Sequence, residues 1–386
     1  MTAATVMSPL APGATAIRTR DAVPGDNAAL VALSSACAMT GDVGLCVDRA
    51  PDFFALNRLE GDRWRVGVAT VGKEAAEDVA GCIAVAERMA YVRGAPMRVG
   101  WVSDFKVHPR HRGGPVADAL TRWASATGRA LLGRDDAPLT MTILAGNVPM
   151  ERRAAGQRGL PVLAPFADLD AWAVPLLWRR RTLVDGVRVA RASERDVEEM
   201  AALWVRVAPG RQFAPVLDAP ALAAWVAAAP GLALSDYLIA RGRDGRIAGF
   251  LALWDQSSFK QLRVTSYSRR LAAARAALNA VGPLAGAAPL PPAGEPLRTV
   301  SALHVCVPGD AAAVLRALLL AAHDALRGRD YAFFTVGLDA RDPLRVALRG
   351  LWAQPTVVRA YVTTPAGCYA GPRLDALPLH HEVALT

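Results

Sequence analysis

The segments RWRVGVATV (63–71) and VAGCIAVAERMAYV (79–92) alternate in character and flank a charged turn, so they predict a β-hairpin. A further strand is expected from Arg98 to Val107. After it Val116, Leu120, Trp123 and Leu131 recur at helical spacing and predict a helix over 116–132. LTMTIL (139–144) reads as another strand, ending in Ala145-Gly146-Asn147, with a helix beginning Val148-Pro149-Met150-Glu151. Before the hairpin, AIRTRDAVPGDNAALVALSSACAMT (16–40) gives a short strand, a Pro-Gly turn, an Asp26 N-cap and a helix. The same order returns at 187–207, where Val197, Met200, Ala201 and Trp204 share one helix face. Two similar α/β halves follow from this repetition, joined near WRRRTLVDG at 178–186.

The second half continues with a hairpin over 237–256, turning at Asp244-Gly245, and a strand SALHVCVP at 301–308 that leads into an apolar helix. Between them lies a stretch of different character. SRRLAAARAALNAVG from Ser268 is a basic helix, and the Pro/Gly/Ala run after it, to Leu297, lacks the periodicity of a core element. So long an insertion reads as a lid, an interface arm or a surface linker.

The most informative stretch is VSDFKVHPRHRGGPVADAL, 102–120. An apolar strand enters a basic glycine turn and then a helix. The first helical N–H groups lack intrahelical acceptors and point outward with the positive end of the dipole, which makes an anion site. Arg110, His111 and Arg112 add charge, and Gly113 and Gly114 let backbone approach a ligand. The second half has Gly309-Asp310 at this place, where a carboxylate caps the helix but repels a diphosphate.

This turn resembles the acyl-CoA pyrophosphate loop of the GNAT superfamily of N-acetyltransferases, whose pattern is Arg/Gln-x-x-Gly-x-Gly/Ala. Arg112 takes the first place and Ala117 the last, while Pro115 stands where a Gly is usual. The resemblance implies an α/β fold with an α+β mixed sheet, as two GNAT-like acyl-CoA N-acyltransferase domains in tandem. Residues 1–15 would be a disordered tail, 16–180 a domain binding acetyl-CoA, and 187–386 a degenerate copy. It further implies that Arg112, Gly113, Gly114, Val116 and Ala117 hold the pyrophosphate. The strand Phe105-Lys106-Val107 would align the pantetheine through its backbone, and Asn147 would contact the cofactor or cap its own helix. The loop 41–60 would lie over the acceptor site. The reaction expected is direct transfer of an acetyl group to a primary amine, the alternative being an acyl-CoA-binding or regulatory protein without catalysis. The general-acid Tyr of many GNAT enzymes has no counterpart in MERRAAG (150–156).

Amine acetylation needs a group to take the acceptor's proton. Asp104, in mid-strand, is the leading candidate, with an ion pair to Lys106 or a nearby Arg as its other reading. Strand alternation puts Asp104, Lys106 and His108 on one face. His108 either reaches the thioester or phosphates or is a surface turn histidine. The segment 253–268 gathers Asp255, Gln256, Lys260, Gln261 and Tyr267, as a polar pocket facing the first half or the solvated end of a hairpin. Tyr267 and Asp255 are its acid and base candidates.

Composition narrows the partners. Net charge is +9 and mostly from Arg, but the basic residues are dispersed and no nucleic-acid motif accompanies them, so no nucleic-acid partner is expected. Five scattered cysteines argue against a disulfide framework or a zinc site, and no metal is expected. No apolar run approaches membrane-span length, and the first residues lack a basic and then apolar leader, giving the expectation of a cytoplasmic protein without a membrane partner. A small amine or a protein Lys would be the acceptor, and a homodimer is compatible with the sequence.

Overall fold

The computed structural model describes residues 17–72, 78–156, 160–180 and 184–386; the tail expected at 1–15 lies outside them. The strands are β1 (Ile17–Asp21), β2 (Val43–Asp48), β3 (Arg63–Val71), β4 (Asp78–Val92), β5 (Ala95–Val107), β6 (Leu139–Leu144), β7 (Ala164–Pro175) and β8 (Arg188–Arg191). They continue as β9 (Tyr237–Arg241), β10 (Ile247–Trp254), β11 (Gln261–Tyr267), β12 (Pro296–Leu297), β13 (Thr299–Cys306), β14 (Phe333–Asp339) and β15 (Gln354–Thr363). Helices are α1 (Asn27–Ala36), α2 (Val116–Leu132), α3 (Val148–Ala154), α4 (Val197–Val207), α5 (Ala219–Ala228), α6 (Arg269–Val281) and α7 (Ala312–Leu326).

Among the described residues twelve strands form one mixed sheet in the order β1-β3-β4-β5-β6-β15-β7-β14-β13-β10-β9-β8. Its centre departs from the boundary expected near 180. β6 pairs with β15, from the far end of the chain, and β7 leaves the first half to pair with both β15 and β14. The halves therefore exchange strands, and residues 16–180 do not close a sheet of their own. Exchange removes two edges that would otherwise present unpaired N–H and C=O groups.

A three-stranded sheet, β12-β11-β2, ties the halves a second time, with Gln261 opposite Asp48 and Tyr267 opposite Val43. The 253–268 segment thus becomes a seam between halves. α2 lays Val116, Leu120, Ala124 and Leu131 on the apolar residues of β3, β4 and β6, and α7 covers the second half likewise with Leu315, Leu318 and Leu319. Gly67 is needed under α2, because a Cβ there would stand 2.5 Å from the Trp123 ring. Burying each such Leu contributes about 2 kcal/mol.

Two parallel pairs position everything that follows. β5 and β6 pair only at Gly100–Leu139 and Trp101–Thr140, and β13 and β14 only from Thr299–Phe333 to Ser301–Thr335. Beyond those rungs the strands diverge, and each half contains a wedge-shaped slot.

Candidate functional site

The first slot is bordered by a bulge in β5. Cys82 faces Lys106 and Ala84 faces Ser103, so Asp104 and Phe105 are opposed by Ile83 alone. Asp104 adopts φ +49°, a left-handed conformation unusual for a side chain other than Gly, Asn or Asp. The bulge turns its carboxylate into a buried cluster. Arg49 Nη1 donates to both of its oxygens at 3.1 Å, Asn57 Nδ2 donates to Oδ2 at 3.1 Å, and Lys106 Nζ also bonds it. Burial alone would raise the Asp104 pKa, but the Arg49 and Lys106 charges outweigh it and hold the carboxyl well below its usual range. The ion-pair reading of Asp104 is therefore what the structure contains. A carboxylate with its lone pairs so occupied is a poor proton acceptor.

The neighbouring acid behaves in the opposite way. Asn57 and Glu60, three residues apart, share one face of the 3-10 turn Asn57–Leu59 and its following residue, where i and i+3 eclipse. Glu60 Oε2 accepts from Ser103 Oγ at 2.8 Å and from Asn57 Nδ2 at 3.2 Å. Burial, and then the Asp104 charge, raise the Glu60 pKa to about 7. Since Asn57 Nδ2 faces two carboxyl groups, its amide orientation is fixed and Oδ1 must point elsewhere. Oδ1 is buried without a hydrogen-bond partner, and so is Arg49 Nε. The cluster retains one spare acceptor and one spare donor, which a complete buried network would not leave.

On the other side of the bulge, His108 N–H bonds Ala80 O of β4, at 2.8 Å. By alternation the N–H and C=O of Phe105 and Val107 face the diverging β6 side. Val107 O is approached there by Arg112 Nε at 3.4 Å and Cys37 Sγ at 3.5 Å. At the slot's mouth Gly113 has φ +78°, and nothing lies within 4 Å of where its Cβ would be. α2 begins directly after Pro115, whose ring costs the cradle one N–H but suits the helix start.

The second slot repeats the bulge. Phe250 faces Cys306 and Ala252 faces Leu303, so His304 occupies the position of Asp104, with φ +50°. This slot is filled by the chain itself. His304 N–H donates to Glu382 Oε1 at 3.0 Å, His380 Nε2 lies 2.9 Å from the same oxygen, and the His304 ring meets Tyr237 Oη at 2.7 Å. A Cβ on Gly337 of β14 would come within 2.5 Å of Val383 Cγ2, so the segment lies flat on that strand. A void of about 10 Å³ remains beside Gly337 and Leu379–Glu382, room for one water at most.

Two diverging parallel pairs, each with a bulge at the same place and a helix after the turn, decide the architecture. It is a tandem GNAT fold. Over 93% of its length the chain resembles a GCN5-related N-acetyltransferase from Sphaerobacter thermophilus, with TM-score 0.57 and 16% identity over 98% of that chain. It resembles N-myristoyltransferase of Saccharomyces cerevisiae, solved with bound myristoyl-CoA, over 93% of this chain and 84% of that one, with TM-score 0.61 and 12% identity. A glucosamine N-acetyltransferase region in a fungal multi-domain β-N-acetylglucosaminidase matches 92% of this chain and 39% of that one, at 14% identity and TM-score 0.57. No family model matches the sequence, and no curated protein matches it.

Within the tandem GNAT fold the expected site residues divide. Asp104, Phe105, Lys106 and Val107 lie on β5, Arg112, Gly113 and Gly114 in the turn after it, and Val116 and Ala117 in the first turn of α2, where Val116 packs into the core. His108 instead accepts from Arg110 N–H at 3.3 Å and holds the turn. Asn147 is exposed at the end of β6, its side chain capping nothing. Tyr267 is not at the site: its hydroxyl bonds Pro291 O at 2.6 Å, beside Arg275. Asp255 is likewise engaged, accepting from Tyr331 Oη at 2.6 Å. Lys260 does approach the cluster, and burial followed by the Arg49 charge lowers its pKa to about 7, while its Nζ bonds Ala384 O at 3.0 Å and also Thr386 O.

Sequence reasoning passed over Arg49, Asn57 and Glu60. The available signal was the Asn-x-x-Glu spacing in a loop already expected to lie over the acceptor.

Proposed function

We propose that this protein is an N-acyltransferase that moves an acetyl group from acetyl-CoA directly to a primary amine, with the cosubstrate in the N-terminal half. The observation that carries this reading is an open strand edge ending beside a buried carboxyl tuned near neutrality and an orphaned amide oxygen. The residues fit the cosubstrate. Its diphosphate suits the Arg112–Gly114 turn and the first N–H groups of α2, and its amide-bearing arm suits the backbone edge of Phe105 and Val107. Acetyl-CoA supplies the acyl group already activated as a thioester.

The chain's own groups do the rest. Glu60, once ionised, takes a proton from the acceptor ammonium, and Asn57 Oδ1 accepts a second N–H, directing the freed lone pair at the bulge. As the amide bond forms the thioester C–S bond would break, and the proton the nitrogen then sheds would leave with the thiolate as free thiol. Arg49 Nε, the unused donor, is available to an oxygen bearing negative charge. Asp104 anchors Arg49, Asn57 and Lys106 in these positions, which makes it a positioning residue. The charged groups beside the slot, Arg49, Asp104 and Lys106, suit a two-carbon acyl group better than a long alkyl chain.

Calorimetric titration with acetyl-CoA and release of free thiol across a panel of primary amines test the reading together. Binding with thiol release on some amine is the expected result. Tight binding with no turnover on any amine would point to an acyl-CoA-binding protein instead.

A further inference from the structure

The insertion between β11 and β12 begins with α6. Along α6 the half-buried positions Leu271, Arg275 and Asn279 recur every four residues and include two of its polar residues. Arg275 lies over the Tyr267 ring at 5.7 Å, and the Asn279 side chain exchanges hydrogen bonds of 2.9 and 2.8 Å with the Leu290 backbone. Its exposed positions are Arg269 and Arg270, a run of alanines, and Leu278 and Val281, which are 46% and 59% exposed, and no residue of the helix is buried.

A backbone hydrogen bond ties the turn after this helix to a second group of exposed apolar side chains. Leu284 is 89% exposed, and the adjoining Ala285 O accepts from Trp178 N–H at 2.6 Å. The Trp178 ring meets Trp352 edge-on at 4.7 Å, and the two rings are 49% and 56% exposed. Both tryptophans hold positive φ, +47° and +58°, strained for so bulky a residue. The rim is positive. Arg180 lies 5.8 Å over Trp352 and bonds Gly350 O, and Arg316 bonds Ala347 O and Arg349 O. Arg327 packs on Gly286. Among the described residues none of these three has a carboxylate partner, and no acidic residue occurs between Asp255 and Glu295.

We infer that this face is a docking surface for an anionic lipid bilayer, entered by Leu278, Val281, Leu284 and the tryptophan pair and held by Arg180, Arg316 and Arg327. Exposed apolar residues joined to indole rings and unpaired arginines suit the interface between headgroups and acyl chains. A second copy of the chain fits poorly, because a two-fold contact would set the unpaired arginines against themselves. Nucleic acid fits poorly too, since the two rings are packed on each other and the aliphatic residues have no base to meet. The expectation of no membrane partner rested on span length. No helix among the described residues is long and apolar enough to cross a membrane, and peripheral contact does not need one.

Flotation of the full chain with vesicles of phosphatidylcholine, with and without phosphatidylglycerol, tests the inference without reference to any enzymatic activity. Binding should be about a hundredfold tighter to the anionic vesicles at low salt, each arginine contributing roughly fivefold, with a blue shift in tryptophan emission. Leu284→Glu, at a site open enough to leave the fold intact by circular dichroism, should weaken it at least about tenfold, and Leu284→Lys less. Four results would overturn the inference. They are no binding to phosphatidylglycerol vesicles at low salt, equal binding by Leu284→Glu, or a dimer in light scattering or a duplex-DNA complex that Leu284→Glu abolishes in place of vesicle binding.

Discussion

The two halves build the same bulge and put different chemistry on it. In the first, Asp104 at φ +49° gathers Arg49, Lys106 and Asn57 around an open slot; in the second, His304 at φ +50° faces a slot occupied by residues 379–385. Backbone geometry survived duplication where side-chain identity did not. A bulge is set by register between β4 and β5 or between β10 and β13, which packing of the sheet enforces. What can bind beside it depends on one residue and on whether another part of the chain reaches the wedge. The turns differ too, Arg112-Gly113-Gly114 being basic and glycine-rich where Gly309-Asp310 carries a carboxylate.

If the first half alone is chemically competent, Glu60→Gln should produce the largest effect. Removing a positioned proton acceptor typically costs about 10²–10⁴ in rate, while acetyl-CoA affinity should not move. The pH profile gives a second readout. Glu60 works only when ionised, so kcat should rise as pH increases through about 7, and that limb should vanish in the variant. A variant with full activity and the same limb would move the proton acceptor elsewhere, Lys260 being the next group placed to serve.

The bulge residues themselves should differ almost as much. Asp104→Asn leaves Arg49, whose side chain is 3% exposed, without its carboxylate, and breaking such a buried pair costs about 3–5 kcal/mol. At neutral pH His304 is uncharged, because burial lowers its pKa to about 4, so His304→Asn loses one hydrogen bond from Tyr237, about 1–3 kcal/mol. Urea unfolding of the two variants measures the comparison directly, and equal losses would undo it. Acid should weaken the second half first, because with a pKa lowered to about 4 His304 costs stability as soon as pH falls below the pKa of an unfolded His. Asp104 has a depressed pKa, so its contribution to stability is complete above the pKa of an unfolded Asp and fades as pH falls towards the folded value.

At the turns the effect should be smaller. Arg112→Glu replaces a cation beside the first N–H groups of α2 with an anion, and acetyl-CoA affinity should fall by about tenfold or more with the fold intact. Unchanged affinity in calorimetry would count heavily against the placement of the diphosphate.

Much of this arrangement was legible beforehand. Alternation in 63–92, the helix over 116–132 and the repeated opening at 187–207 are local patterns, and local patterns survive into the fold. The strand exchange was not legible, because β15 chooses β6 and β7 by long-range pairing that leaves no mark on its own sequence. Nor was Asp104's low basicity. The bulge brings Arg49, Asn57 and Lys106 to one carboxylate, and alternation along β5 predicts only that Lys106 is near. Glu60 is the converse case, an ordinary loop acid in the sequence that becomes unusual through burial beside a charge. Tyr267 went astray for a related reason: β11 pairs with β2 and carries that hydroxyl to Pro291 rather than to the cluster.

The occupied slot supplies the last contrast. Glu382→Gln keeps a side-chain oxygen for the His304 N–H but removes the charge that His380 faces, so the loss should be near the net value of one charge-assisted bond, about 1.5–3 kcal/mol. Acetyl-CoA stoichiometry should stay at one per chain, because Val383 and the His381 carbonyl still cover Gly337 and Asp310 still stands at the start of α7. A second binding event in that variant would mean that Glu382 alone keeps the second slot shut, and that the halves differ by a plug and not by their turns.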